Sequence, residues 1–237
     1  MNHIHVTIKR LFVYICGLFF LAFGVSFSIQ ADLGVSPVSS LAYAFTLTTG
    51  FSVGLMTIVA NILFIIVQVI LSKRFSLRGS IVQLMISFVF GFFIDMTLLL
   101  LQLFPTPNTF LMQWVFLIIS LFLMSIGLFG CFSSKYTLMP YDELTHVISE
   151  TFNINLGKAK IYGDLINVVS AGVICIVFIQ SLGSVGIGTI IAAYFIGKIL
   201  GWLMKMYQKP LINWMSKTKD GTSKVKEIMI RDEQTSS

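Results

Sequence analysis

Residues 110–134, FLMQWVFLIISLFLMSIGLFGCFSS, contain no charged side chain, and KYTLMPYDELTHVISE follows them over residues 135–150. A helix needs about 20 apolar residues to cross the roughly 30 Å hydrocarbon core of a bilayer, and residues 110–134 meet that length. The next stretch instead brings a proline, three acids and a histidine within residues 140–150. This part of the sequence predicts a membrane-spanning helix followed by a short polar helix.

The rest of the chain has the same apolar composition. Of the 237 residues, 56% are hydrophobic and only 11% are charged, which is too few to cover the surface of a soluble protein. Six apolar segments are long enough to span a bilayer; they cover about residues 11–31, 54–72, 79–103, 110–132, 158–180 and 186–206. The sequence therefore predicts an all-α polytopic membrane protein with six transmembrane helices.

The basic residues favour one orientation in the membrane. With a cytoplasmic N-terminus, fifteen of the sixteen Lys and Arg lie on the cytoplasmic side, and the opposite connections, 32–53, 104–109 and 181–185, carry none. This bias predicts a multi-pass protein of the cell membrane with both termini cytoplasmic. The net charge of +6 is spread over the inner loops and the C-terminal tail, so we expect contact with the lipid bilayer and no nucleic-acid partner.

The second half of the chain repeats the first with a shift of 103 residues. Glycines and a proline, which set backbone shape, coincide together with several apolar residues: Leu18 with Leu121, Phe19 with Phe122, Gly24 with Gly127, Pro37 with Pro140, Leu41 with Leu144, Gly54 with Gly157 and Ile58 with Ile161. A shift of 106 residues pairs Gly91 with Gly197.

An odd number of spans in each half would invert the second copy relative to the first, as in many secondary transporters. We expect residues 1–103 to form one three-helix repeat, residues 110–206 to form the inverted repeat, and residues 207–237 to form a basic cytoplasmic tail. Each repeat would carry a short amphipathic or re-entrant helix after its first span. The alternative is a duplication that only builds a helix bundle.

These short helices begin at a proline, which suits a first helical turn: SPVSSLAYAFTL over residues 36–47 and MPYDELTHVISE over residues 139–150. The candidate substrate-binding residues are Ser39 and Ser40 in the outer helix and Asp142, Glu143 and His146 in the inner helix. The competing interpretation is an interfacial amphipathic helix whose first-turn carboxylates stabilise its dipole. The Asp, His and Glu stripe matches no defined metal signature, so we expect no metal site.

The outer short helix is neutral, whereas the inner one is acidic. His146 lies beside two carboxylates in the sequence, and a histidine changes charge near neutral pH. We therefore predict a pH-sensitive gate at the inner vestibule.

Three ionisable side chains, Asp95, Asp164 and Lys198, lie inside the predicted spans, where such groups mark functional sites. Asn61 and Asp164 occupy equivalent positions in the two halves and are expected to face a central cavity. Lys198 lies at nearly the same depth as Asp164 and is expected to pair with it. The alternatives are a structural ion pair and, for Asn61, a hydrogen bond to a neighbouring helix.

Two further features of the spans are interpreted as structural. Ala193, Gly197 and Gly201 recur every four residues, which predicts close helix packing. Asp95 lies near the outer end of its span, and we expect it to reach toward the interface.

These features favour two functions. The first is a secondary transporter or permease for a small molecule or ion, with its site between the repeats at Asn61, Asp164 and Lys198. The second is a membrane-embedded binding or regulatory module that acts with a cytoplasmic protein partner; a homodimer also stays open. No Ser/His/Asp or Cys/His constellation is present, so we expect neither an enzyme nor a cofactor.

The chain also resembles the YczE/YyaS/YitT group of bacterial integral membrane proteins. The resemblance covers about residues 10–205 and rests on Gly24, ADLGVSP (31–37), GFSVG (50–54) and Asn61. It implies a six-span protein of the bacterial inner membrane, of a kind often described as a transporter. Members commonly have an aromatic residue after the proline, where this chain has Val38.

Overall fold

The computed structural model describes residues 2–73, 76–104 and 106–216, with side chains from residue 5 onward. These ranges contain eight α-helices: α1 (Asn2–Ala31), α2 (Pro37–Thr49), α3 (Val53–Ser72), α4 (Leu77–Leu101), α5 (Phe110–Ser134), α6 (Pro140–Thr151), α7 (Leu156–Ile179) and α8 (Ile187–Ser216). All except α2 and α6 are long and apolar enough to cross a membrane. The structure thus indicates a multi-pass membrane protein, as the sequence predicts.

The helix starts follow from local sequence. Four long helices begin after a residue whose side-chain oxygen accepts a hydrogen bond from a first-turn N–H, which satisfies an otherwise unpaired donor; these caps are Ser52, Ser76, Thr109 and Asn155. The short helices α2 and α6 have no side-chain cap and begin at Pro37 and Pro140. A proline fits this position because it lacks the N–H that would remain unpaired.

The first spans of the two halves, α1 and α5, form the most extensive helix contact. Glycines let their backbones touch: a Cβ on Gly24 would lie 2.7 Å from the Met124 nitrogen, and one on Gly127 would lie 2.7 Å from the Gly17 oxygen. Small residues permit such close approach in membrane proteins, where packing replaces the hydrophobic effect between helices. The α1–α5 pair is therefore a tightly packed pair of helices with the most contacts in the bundle.

Two of the other long helices pack directly on this pair. Helix α4 packs against α1 and α3, and α8 packs against α5. The short helix α2 lies on α7, while α6 lies on α3. The consecutive helices α7 and α8 do not pack along each other over their described residues.

The loop after α1 is clasped to the turn before α8. Val35 N donates to Ser184 O at 3.1 Å, and Gly188 N donates to Leu33 O at 2.6 Å. Gly34 lies between these bonds with φ of +93°, and a Cβ there would come within 2.7 Å of the Thr189 hydroxyl. This position needs glycine both for its backbone conformation and for space.

The last span is longer than the sequence predicts. Helix α8 continues past residue 206, through Pro210, to Ser216. Its end contacts the start of the chain, because Lys9 Nζ donates to Trp214 O at 3.3 Å and lies 5.3 Å from the Trp214 ring centroid. The first ten residues of the predicted tail are thus helical, and the rest of it, 217–237, lies outside the described residues.

The predicted packing role of the small-residue series on α8 is wrong. A Cβ added to Gly197 or Gly201 would meet nothing within 4 Å, and Ala193 is exposed. The series leaves open space beside α7. The equivalent glycine in the first half, Gly91, is in close contact, since a Cβ there would lie 2.6 Å from the Gly54 oxygen.

Gly127→Ala and Gly197→Ala form a matched pair. We expect the first to destabilise the protein by about 1–3 kcal/mol, because backbone atoms of α1 leave no room for a methyl group. The second adds its methyl to open space and should change stability little. The stability of both variants is measured by thermal unfolding in detergent, with the fraction of monodisperse protein as the readout. An equal loss of stability in the two variants would contradict the assignment of α1–α5 as the tight contact.

Candidate functional site

A cavity of about 230 Å³ lies at the centre of the structure, and all eight helices or their first turns contribute to its lining. Most lining side chains are apolar, among them Leu21, Val25, Met124 and Leu128 on the central helix pair. A largely apolar cavity with a few polar groups is the usual form of a small-molecule site. Its chemistry therefore depends on which polar side chains face it.

Four of these polar groups form a cluster on α6 and α7. Tyr141 Oη donates a short hydrogen bond to the Asp164 carboxylate. Lys160 Nζ lies 3.8 Å from Asp142 Oδ1 and 5.1 Å from the Tyr141 ring centroid. All four side chains line the cavity, so the cluster places two carboxylates and one ammonium group at its wall.

Burial controls the protonation of the two cluster residues on α6. It raises the pKa of Asp142, an effect to which Asp164 adds and which Lys160 and His146 oppose. Burial, followed by the nearby Asp164 carboxylate, also raises the pKa of Tyr141. Desolvation disfavours a charged form, so Tyr141 remains a neutral hydrogen-bond donor and Asp142 holds its proton more tightly than an exposed carboxyl group.

Asn61 on α3 faces the same cavity, as the sequence predicts. Its side chain is only 5% exposed, and its Nδ2 has no hydrogen-bond partner among the described residues. A buried amide without a partner is costly and rare in folded proteins. This donor is available to a molecule in the cavity, and the alternative interpretation, a hydrogen bond to a neighbouring helix, is wrong.

The two candidate serines on α2 behave differently. Ser39 lines the cavity, and its hydroxyl accepts a hydrogen bond from Ser36 Oγ at 3.2 Å. Ser40 is completely buried and donates to the Pro37 carbonyl at 2.8 Å. Ser40 does not face the cavity, because neighbouring positions of a helix point in different directions.

Lys198 does not form the expected pair with Asp164. It donates to the Tyr194 hydroxyl at 2.9 Å, and its ammonium lies 4.8 Å from the centroid of that ring. Both residues are exposed on α8. The predicted depth was insufficient to establish a pair, because Lys198 points away from the cavity and the cation beside the carboxylates is Lys160.

The remaining candidates lie on other faces of α6. Glu143 lines a separate cavity of about 340 Å³, together with Gln68, Gln83 and the loop at Thr137. His146 lines neither cavity, but its charge lowers the pKa of Asp142. The pH-sensitive gate therefore stays a prediction, and in this structure it would act through Asp142. Among the described residues, no group of three His, Cys, Asp or Glu is placed to hold a metal.

Two polar contacts that hold elements around the site are not predicted from the sequence. Asn167 on α7 is 4% exposed, and its amide donates to the carbonyls of Pro37 and Val38 at 2.9 and 3.3 Å. Asp95 on α4 has a structural role near the predicted outer end of its span, because its carboxylate accepts from Gly54 N and Ser52 Oγ, both at 2.8 Å. For either contact, the only signal in the sequence was a polar side chain within a predicted span.

Asn61→Leu and Asn167→Leu test the difference between the two buried amides. We expect Asn167→Leu to lose about 1–3 kcal/mol, because two buried carbonyls lose their donor. Asn61→Leu removes a donor that has no partner, and its stability should be equal to or above that of the wild type. Unfolding temperatures in detergent measure both effects; a large loss for Asn61→Leu would show that its amide has a structural partner.

Asp142→Asn should make stability less dependent on pH. A carboxyl group with a raised pKa contributes stability below its unfolded pKa, and that contribution is lost as the pH rises through the folded pKa. The variant should therefore be more stable than the wild type at pH 8, and this advantage should shrink toward pH 4. Asp95→Asn, which removes a hydrogen-bonded carboxylate outside the cavity, is the control. An advantage for Asp142→Asn that grows toward acid would contradict the direction of the shift.

Comparisons with known proteins relate the chain to a family of unknown function. Residues 8–205 match the model of a family described as "Family of unknown function (DUF6198)". The chain is 25% identical over 210 residues to "Uncharacterized protein YyaS" of Bacillus subtilis (strain 168), and this alignment covers 88% of the chain and 97% of that protein. No solved structure matches the chain. The resemblance to the YyaS group is confirmed, and the chain belongs to the DUF6198 family.

Proposed function

We propose that the protein is a secondary transporter or permease for a small solute, with the central cavity as its substrate site. The observation that carries this proposal is the matched lining of the cavity. Up to the second span of each half, seven pairs of lining residues are separated by 103 positions: Leu21 and Met124, Val25 and Leu128, Ser36 and Met139, Val38 and Tyr141, Ser39 and Asp142, Thr57 and Lys160, and Asn61 and Asp164. Sites between inverted repeats are typical of secondary transporters.

Helix packing supports the two inverted repeats of this proposal. The contact of α2 with α7 has a counterpart in the contact of α6 with α3, and α1 packs on α4 as α5 packs on α8. In our proposal the repeats are related by a pseudo-twofold axis in the membrane plane, both termini are cytoplasmic, and the protein lies in the cell membrane. The uncharged first turn of α2 then lies toward the outer side of the membrane, and the acidic first turn of α6 lies toward the cytoplasm.

The two halves differ in how tightly they close. In the first half, α3 and α4 meet at Gly54 and Gly91, and Asp95 binds the first turn of α3. The corresponding glycines of the second half, Gly157 and Gly197, both line the cavity and do not touch. The position equivalent to Asp95 is Gly201, so that half has no corresponding carboxylate.

The loops show the same asymmetry. On the outer side of the proposed orientation, Leu33 and Val35 are hydrogen-bonded to the turn before α8. The equivalent inner loop, at Thr137 and Leu138, is separated from Gly79 and Ser80 by the 340 Å³ cavity. The structure fits a state that is closed outside and open toward the cytoplasm. Transport would exchange the two arrangements: Gly157 would approach Gly197, while Gly54 and Gly91 would separate.

Side-specific labelling of a cysteine at Ser39 tests this proposal without knowledge of the substrate. The background carries alanine at Cys16, Cys131 and Cys175. In oriented membrane vesicles, a transporter should expose Ser39→Cys to an impermeant maleimide from both sides. Ser40→Cys, one residue away but buried, is the matched control and should react at least about tenfold more slowly, because its thiol would be excluded from water.

Labelling of Ser39→Cys from one side alone would contradict alternating access and favour a membrane-embedded binding module. Gly91→Leu adds a second test, because a side chain at this contact should hold α3 and α4 apart. Gly91→Leu should increase labelling from the outside relative to the inside. Gly197→Leu should keep Gly157 and Gly197 apart, and labelling should therefore shift toward the inside. The same direction of change for both variants would contradict the proposed exchange.

A further inference from the structure

We propose that the central cavity binds a monovalent organic cation with an apolar, ring-sized body. This inference rests on the proposed function only for the movement of the ligand, because binding can be measured on its own. It is carried by the charges, the aromatic rings and the unpaired amide that line the cavity.

The formal charges on the cavity wall are unbalanced. Asp142 and Asp164 are the two acids among the lining residues, and Lys160 is the one base. Lys198, the other candidate cation in the spans, is bound to Tyr194 outside the cavity. A cationic ligand would therefore meet two carboxyl groups and one ammonium group, and opposite charges attract strongly where water is scarce.

Lys160 already occupies the place that such a ligand would take. Its ammonium lies beside the Asp142 carboxylate and over the Tyr141 ring, so this wall accommodates a cation by both charge and ring contact. The Lys160 side chain is 43% exposed, whereas that of Asp142 is 15% exposed. A flexible, half-exposed side chain can move outward, and the carboxylate and ring that it leaves can then receive the charged group of a ligand.

The rest of the cavity suits an apolar body. Phe64 packs edge-on against Tyr141 with ring centroids 5.3 Å apart, and Phe90, Phe132 and Leu128 extend the apolar wall. Rings near a carboxylate favour cations that carry few hydrogen-bond donors, because the charge is then stabilised without hydration. A small inorganic cation would leave these side chains without contacts.

The Asn61 amide is the observation that points to a ligand rather than to an empty space. The Asn61 side chain is only 5% exposed and lines the cavity. Its Nδ2 has no hydrogen-bond partner in the described structure. An amide can offer a donor or, after rotation, an acceptor, and an N–H can also point at an aromatic face. A ring or polar substituent on the ligand would complete its contacts.

Binding of phenyltrimethylammonium to the full chain in detergent, measured by calorimetry, tests the inference. We expect saturable binding of this cation and no binding of benzenesulfonate, an anion with the same ring. Asp142→Asn and Asp164→Asn should each lower the affinity for the cation by about tenfold, which corresponds to about 1.4 kcal/mol of binding free energy. Lys160→Gln should strengthen it, because the competing ammonium is gone, whereas Lys160→Arg should not.

Glu150→Gln is the control, since Glu150 is exposed near the end of α6 and does not line the cavity, and this variant should bind the cation like the wild type. If an acid variant fails to fold, phenyltrimethylammonium protection of Asn61→Cys against maleimide replaces it. Preferred binding of benzenesulfonate that Lys160→Gln abolishes, equal affinity in all acid variants, or no protection of Asn61→Cys would overturn the inference.

The result is separable from the transport proposal. Cation binding together with one-sided labelling of Ser39→Cys would refute transport alone and leave the binding site. Two-sided labelling without cation binding would refute the substrate class alone.

Discussion

The backbone contact between α1 and α5 is the constraint on which the other helices depend. Gly24 and Gly127 have no side chains that would separate the two helices. The helix backbones therefore pack so closely that lipid cannot enter between them. Helix α4 packs on α1, and helix α8 packs mainly on α5. Because the pair is tight, the remaining space is concentrated where the short helices begin, and that is where the cavity lies.

Polar side chains inside this bundle are expensive unless they have partners. Asn167 ties α7 to the first turn of α2, and Asp95 ties α4 to the first turn of α3. Both therefore hold elements in place. Asn61 differs from them because its donor is buried and unpaired, which separates a group available for binding from groups used for packing.

The asymmetry between the halves has a local chemical origin. The first half holds α3 against α4 with a glycine contact and the Asp95 carboxylate. The second half has Gly201 in place of that carboxylate, and its space is lined by Lys160, Asp164 and the acidic first turn of α6. Closure of the second half would bring these charges together in a smaller volume, so their protonation and pairing would matter for any exchange between the arrangements.

The sequence by itself determined the six long apolar helices and the two proline-initiated helices, and four of its eight candidate site residues, Asn61, Asp164, Ser39 and Asp142, line the cavity. Length and hydropathy are local properties, and equivalent positions of a repeat have similar environments. Only the tertiary structure decided that Lys198 binds Tyr194, that Lys160 is the cation beside Asp142, that Ser40 is buried, and that Gly197 faces open space. These outcomes depend on helix rotation and on gaps between neighbours, to which neither the depth of a residue in its span nor its spacing along the chain is sensitive.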